Sequence, residues 1–141
     1  MRPLVIIFFK RFTMQLNVPV SVGEVLDKIT ILQIKLAHIF DADKRVNIQT
    51  ELDVLLPLVS GDRFAGSKMQ ALIAELKLVN ETLWDIEDDI REKEAAKSFD
   101  EEFIRLARSV YVTNDKRAAI KKQINIMTGS ALIEEKSYES Y

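Results

Sequence analysis

The chain has no cysteine, one histidine, four glycines and three prolines among its 141 residues. Without thiols there is no disulfide frame and no thiolate chemistry, which fits a cytoplasmic location. One histidine with no thiolate cannot complete a structural zinc tetrahedron, so no metal site is expected. Gly and Pro together make up about 5% of the chain, against roughly 12% in ordinary proteins, and residues 67–128 contain neither. A β-sandwich or barrel needs a turn signal roughly every 8–12 residues, so those architectures are excluded. Glycine-rich phosphate loops and dinucleotide fingerprints have nowhere to sit, and no cofactor is expected. Long apolar runs are missing too. The longest near the N-terminus, Leu4–Phe9, falls short of a secretory core of about 7–15 residues and of a membrane span of about 20, so no membrane span is expected. Twenty basic against 22 acidic side chains give a net charge of −2, so global charge makes no case for nucleic acid.

What is present is helical periodicity. Residues 1–13 read as a disordered or start-site extension, with a basic-apolar interfacial anchor as the alternative, and residues 14–141 as a single helical domain. Ser21 and Glu24 form an S-x-x-E capping box with Val20 and Val25 as its hydrophobic staple. From there Val22, Leu26, Ile29, Leu36 and Ile39 recur at helical spacing, widened by Ile31 and Ile34, and predict a helix over about 22–40. Asp41 or Asp43 caps a second helix over about 43–57 with Ile48, Leu52, Leu55 and Val59 inward. Ser67 and Gln70 form another capping box. Met69, Leu72, Leu76, Val79, Leu83, Ile86 and Ile90 then hold an a/d pattern through a helix over 67–95. Ser98 or Asp100, with Phe99 and Ile104 as staple, opens a helix over about 100–128 that carries Phe103, Ala107, Val110, Ala118 and Ile124 inward and ends at Gly129.

A turn of a few residues between the third and fourth helices folds them back on each other. Facing positions then sum to about 195, which pairs Glu87 with Arg108, Trp84 with Tyr111, Glu81 with Asn114 and Glu75 with Lys121. Residues 67–95 carry four basic and eight acidic side chains, and residues 103–128 six basic and one acidic, so the two helices read as electrostatic complements. Twenty-nine helical residues span about 44 Å, longer than the diameter of about 37 Å of a compact chain of this length. A rod of that kind leaves apolar surface to be covered, and a homodimer is expected. The expected fold is thus all-α, an antiparallel helical bundle built on a long coiled-coil-like helical hairpin.

The basic residues Arg105, Arg108, Lys116, Arg117, Lys121 and Lys122 could meet nucleic acid, but the acidic third helix opposes their field; no nucleic-acid partner is expected. Asp85, Asp88, Asp89 and Glu92 read as a solvated face, with Glu87–Arg91 and Asp89–Lys93 as i,i+4 pairs. His38, at the end of the first helix, complements its dipole. The tail carries one apolar pair, Leu132 and Ile133, that either packs on the hairpin or frays. The polar positions inside the fourth helix's apolar stripe are harder to dismiss. Asn114, Arg117 and Lys121 interrupt it before Ile124 restores it, and buried polar groups need partners. Arg108 and Tyr111 lie one turn away, and Lys28 and Lys35 share a side of the first helix. Together these seven are the candidate ligand-binding residues, able to surround a carboxylate or phosphate. The alternative is that Glu51, Glu75, Glu81 and Glu87 neutralise them as register-fixing ion pairs.

The blocks Val18-Pro-Val-Ser-Val-Gly-Glu24, Leu26-Asp-Lys-Ile-Thr-Ile-Leu32, Leu83-Trp-Asp-Ile-Glu-Asp-Asp-Ile-Arg91, Phe103-Ile-Arg-Leu-Ala-Arg-Ser-Val-Tyr111, Thr113-Asn-Asp-Lys-Arg-Ala-Ala-Ile-Lys121 and Glu134-Glu-Lys-Ser-Tyr138 resemble a small bacterial family of all-helical proteins of unknown function. The resemblance runs from about Met14 to Tyr138 and implies a cytoplasmic stand-alone helical protein, with no activity to transfer. The arrangement also resembles, in architecture alone, the all-α chorismate mutases, which bind a dianion among cations on long helices. Arg108, Asn114, Arg117, Lys121 and Glu87 are residue types suited to such electrostatic catalysis. The reading that follows is a non-enzymatic binding or scaffolding module recognising a protein partner or small anion through its fourth helix. The alternative is a small all-α enzyme acting on an anionic metabolite.

Overall fold

The computed structural model describes residues 13–141. The apolar run Leu4–Phe9 and all but the last residue of the expected extension lie outside the described residues. Four α-helices and no strand occur among the described residues: α1 (Val22–His38), α2 (Ala42–Leu55), α3 (Ser67–Ala95) and α4 (Glu101–Thr128). No helix among them is long and apolar enough to cross a membrane.

The helix ends follow local chemistry. Ser21 accepts the Glu24 N–H at 3.2 Å, Asp41 the Lys44 N–H at 3.0 Å and Asp100 the Phe103 N–H at 2.9 Å, each satisfying an N–H that the first helical turn leaves free. The Ser67–Gln70 capping box does not form. Gly66 is the N-cap and offers no side chain, while the Gln70 amide turns back to donate to the Phe64 carbonyl. α1 stops at His38 rather than Phe40, where the Arg45 guanidinium takes up the Leu36 and Ile39 carbonyls. α2 gives way at Leu56 to a 3-10 turn over Leu56–Val59 that contains Pro57, which has no N–H to continue an α-helix. α4 closes on Gly129 at φ 66°, and the Ser130 N–H returns to the Asn125 carbonyl at 2.9 Å.

α1 is the hub, packing against α2 on one side and against α3 and α4 on the other. At 100° per residue its two buried stripes lie opposite each other. Val25, Ile29 and Leu32 meet Ile48 and Leu52 of α2 in one apolar cluster. Leu26, on the flank between the stripes, joins a second cluster with Met69, Leu72 and Leu76 from the start of α3 and Ile120 and Ile124 from the end of α4. Val59 touches both clusters. Over about its first two-thirds the inner face of α4 is rotated by about one residue from the expected stripe: Leu106, Thr113 and Ile120 are buried, whereas Phe103, Ala107 and Val110 are half-buried, and Ile124 is buried as expected. On α3, Asn80 rather than Val79 is the innermost residue of its turn.

Candidate functional site

The second stripe of α1 carries the polar residues Asp27 and Thr30. Gly23, Asp27, Thr30 and Ile34 follow each other at helical spacing on the side facing α3 and α4, and all four are buried. Asp27 is only 1% exposed, and a lone carboxylate there would be costly. It is met by a fork. Arg117 of α4 donates through Nε to Asp27 Oδ1 at 2.8 Å and through Nη2 to Oδ2. Asn80 of α3 donates to the same Oδ1 at 2.9 Å and to Thr30 Oγ at 2.9 Å, and the Thr30 hydroxyl donates to the Asp27 carbonyl at 2.9 Å. One side chain from each of three helices therefore meets at a single point. Burial would raise the Asp27 carboxyl pKa, but hydrogen bonds from Arg117 and Asn80 and the charge of Arg117 hold it below its ordinary value.

One turn further along α4 lies a second ionic node. The Lys121 side chain, 10% exposed, donates to Glu24 Oε2 at 2.6 Å and to Glu134 Oε2 of the tail at 3.0 Å. Burial pushes its ammonium pKa down, yet these two hydrogen bonds leave it raised overall. Beside it Asn125 accepts the Gly23 N–H at 2.6 Å and Ser130 accepts the Val22 N–H at 3.1 Å. Together with Ser21, these satisfy the first three free N–H groups of α1. Glycine is required at position 23, because a Cβ would stand 2.6 Å from the Lys121 carbonyl oxygen. Among the described residues no buried side-chain nitrogen or oxygen lacks a hydrogen-bond partner.

The tail after Gly129 has no regular structure and runs along α4. Glu134 pairs with Lys121, Glu135 with Lys122 at 3.1 Å, and Lys136 approaches Asp115 at 3.9 Å. Tyr141 donates its hydroxyl to Asp115 at 2.6 Å, which raises the phenol pKa to about 12. Between tail and helix is a polar cavity of about 250 Å³ bounded by Glu24, Asn114, Arg117, Lys121, Glu134 and Lys136.

Three of the seven expected site residues, Asn114, Arg117 and Lys121, share this cavity, and Arg117 Nη1 reaches Asn114 Oδ1 at 3.5 Å. Tyr111 lines the neighbouring cavity with Asn114. Arg108 is exposed, its guanidinium 3.4 Å from the Tyr111 hydroxyl, and lines a separate depression with Ile104 and Val112. Lys28 faces α2, where it pairs with Glu51 at 3.2 Å. Lys35 is half-buried and borders neither cavity. The anticipated α3–α4 ion pairs are not those that form. Glu87 pairs with Arg91 of its own helix, the i,i+4 pair its spacing predicts, and not with Arg108; Lys121 pairs with α1 and the tail rather than with Glu75. Trp84 stacks on His38 at 4.9 Å, and Tyr111 meets Tyr141. α1 lies against the Arg117–Lys121 stretch, so its carboxylates reach those cations first.

Asp27, Asn80, Glu24 and Glu134 are the partners that sequence reasoning missed. A signal existed for two of them. Asp27 and Thr30 sit with Gly23 on a small-and-polar helical stripe opposite the apolar one, and Asn80 follows Leu76 by four on the buried side of α3. Among the described residues, no group of three or more His, Asp or Glu side chains is placed to hold a metal ion.

Fold and site together define an all-α protein whose three core helices are tied by a buried acid–amide–guanidinium centre. The chain belongs to the family of unknown function DUF6165, whose model matches residues 16–141. No curated protein and no solved structure matches it.

Proposed function

We propose that the protein is a non-enzymatic binding module, a single helical domain over residues 14–141 that acts in the cytoplasm as a homodimer. In this reading α3 and α4 form an antiparallel hairpin that serves as a rigid frame. The polar face of α4 then recognises a carboxylate, either on a small anion or on a partner's acidic side chain. One observation carries it: Lys121, nearly buried, holds the Glu134 carboxylate at 3.0 Å on the edge of a cavity shared with Asn114, Arg117 and Lys136. Glu134 comes from an exposed tail and not from a packed element, so an external carboxylate can compete for its place.

Less supports an enzyme of the chorismate-mutase kind. Arg108 lines a different depression, Glu87 is engaged by Arg91, and Arg117 is already forked onto Asp27. Nucleic-acid binding through α4 has less still, because Arg105, Arg117, Lys121 and Lys122 each face a carboxylate of this chain.

A thermal-shift screen against carboxylates and phosphorylated metabolites tests the proposal. Carboxylates are expected to raise the melting temperature of the wild type, and more so that of Glu134→Gln, in which the tail carboxylate no longer competes. No shift with any compound, in the wild type or in Glu134→Gln, would overturn it.

A further inference from the structure

The carboxylate site has a neighbour of the opposite character. A cavity of about 520 Å³ adjoins it, with Asn114 and Lys136 lining both. Val110, Tyr111, Tyr138 and Tyr141 give it an apolar and aromatic wall, and Asp115 and Glu139 give it two carboxylates. The Tyr111 and Tyr141 rings meet edge to face at 5.1 Å. Aromatic faces beside carboxylates attract a cation, and the chain supplies one itself. The Lys136 ammonium lies 5.5 Å from the centre of the Tyr138 ring and 3.9 Å from Asp115. The tail thus lays a carboxylate, Glu134, in the basic cavity and an ammonium, Lys136, in the aromatic acidic one. The two residues are two apart, no more than about 7 Å along an extended chain.

Charge decides what could replace them. Arg117 is neutralised by Asp27, which leaves Lys121 and Lys136 against Glu24, Glu134, Asp115 and Glu139 across the two cavities. An anion without a positive group would engage only the Lys121 end. A ligand that carries both charges satisfies both ends.

We infer that the ligand of this face is a zwitterion with an apolar or aromatic body, of the class of short peptides. Its carboxylate takes the place of Glu134 against Lys121. Its ammonium takes the place of Lys136 against Asp115 and the tyrosine faces, and its side chain fills the volume beside Val110 and Tyr111. The inference rests on the carboxylate site proposed above and adds the positive pole.

The probes are the dipeptide alanylphenylalanine, its N-acetyl form, which lacks the positive charge, and its C-terminal amide, which lacks the negative one. Each is titrated calorimetrically into the full chain carrying Glu134→Gln. The free dipeptide is expected to bind at least about tenfold more tightly than either blocked form. Asp115→Asn, an exposed change, is expected to lower affinity for the free dipeptide and leave the N-acetyl form unaffected. Equal binding of the N-acetyl form would overturn the zwitterion inference and leave the carboxylate site standing. Equal binding of the amide would remove the carboxylate site itself, and no binding by any of the three would remove both.

Discussion

Asp27 is the residue on which the arrangement of α1, α3 and α4 turns. Its carboxylate is buried, forked by Arg117 and bonded by Asn80, so removing its charge leaves a half-buried guanidinium without its carboxylate. Asp27→Asn is expected to cost about 3 kcal/mol at neutral pH. The sign of its pH dependence follows from the lowered pKa. The folded state binds the Asp27 proton less readily than the unfolded chain, whose ordinary value is near 3.8, so the stabilisation is present above that value and is lost as pH falls through the lower folded one. Urea unfolding from neutral pH downward is expected to show the gap between wild type and variant narrowing below about pH 4; a constant gap would contradict the account. Residual acid sensitivity in the variant belongs to groups such as Asp100, which the Lys93 ammonium and the Phe103 N–H lower to about 2. At this scale the polar interruptions on α4 were legible because Arg117 and Lys121 break an apolar period. Their partners were missed, because Asp27 and Glu24 lie off the apolar stripe of α1 that the period follows.

At the scale of elements, the caps at Ser21 and Gly129 could be read directly, and those at Asp41 and Asp100 to within a choice of two residues, since each is a local bond between a side chain or αL backbone and the next turn. Ser67 misled because a capping-box spacing does not say which residue stays outside the helix. Two helix-end positions, Gly23 and Lys97, give predictions of opposite sign. Gly23→Ala, which in a free helix would gain about 1 kcal/mol, is expected to lose about 2 kcal/mol here. The new Cβ would meet the Lys121 carbonyl at 2.6 Å and Asn125 Oδ1 at 3.0 Å, and would push α1 off α4. Lys97 ends α3 at φ 52°, a left-handed conformation natural to glycine, with the Ser98 N–H returning to the Lys93 carbonyl at 2.9 Å. Lys97→Gly is expected to stabilise the protein by about 1 kcal/mol. Thermal melts of the two variants check both; a stabilising Gly23→Ala would mean that α1 and α4 are not in close contact at that point.

At the scale of the whole molecule, the all-helical class was legible from periodicity and from the scarcity of breakers. The long-range pairing was not. Charge totals suggested that α3 and α4 neutralise each other, yet Arg117, Lys121 and Lys122 of α4 are taken by α1 and by the tail, contacts that span 13 to 97 residues of sequence. Totals carry no direction, and only the packing of α1 against α4 decides which carboxylates arrive. Large apolar side chains such as Leu16, Phe40, Leu78 and Ile126 are each more than half exposed, surface that the proposed second copy would cover in part. Sedimentation equilibrium is expected to give twice the chain mass of 16.2 kDa; a monomer at all concentrations would remove the dimer.

On the proposed function, Glu134 occupies a carboxylate site that other carboxylates can take. Glutarate carries the same terminal group as that side chain, and its calorimetric affinity for wild type and Glu134→Gln compares the occupied site with the vacated one. The account predicts at least about tenfold tighter binding to the variant, since the intramolecular competitor is gone and Lys121 is left unsatisfied on that side. Equal affinity for the two proteins, or no binding to either, would contradict it.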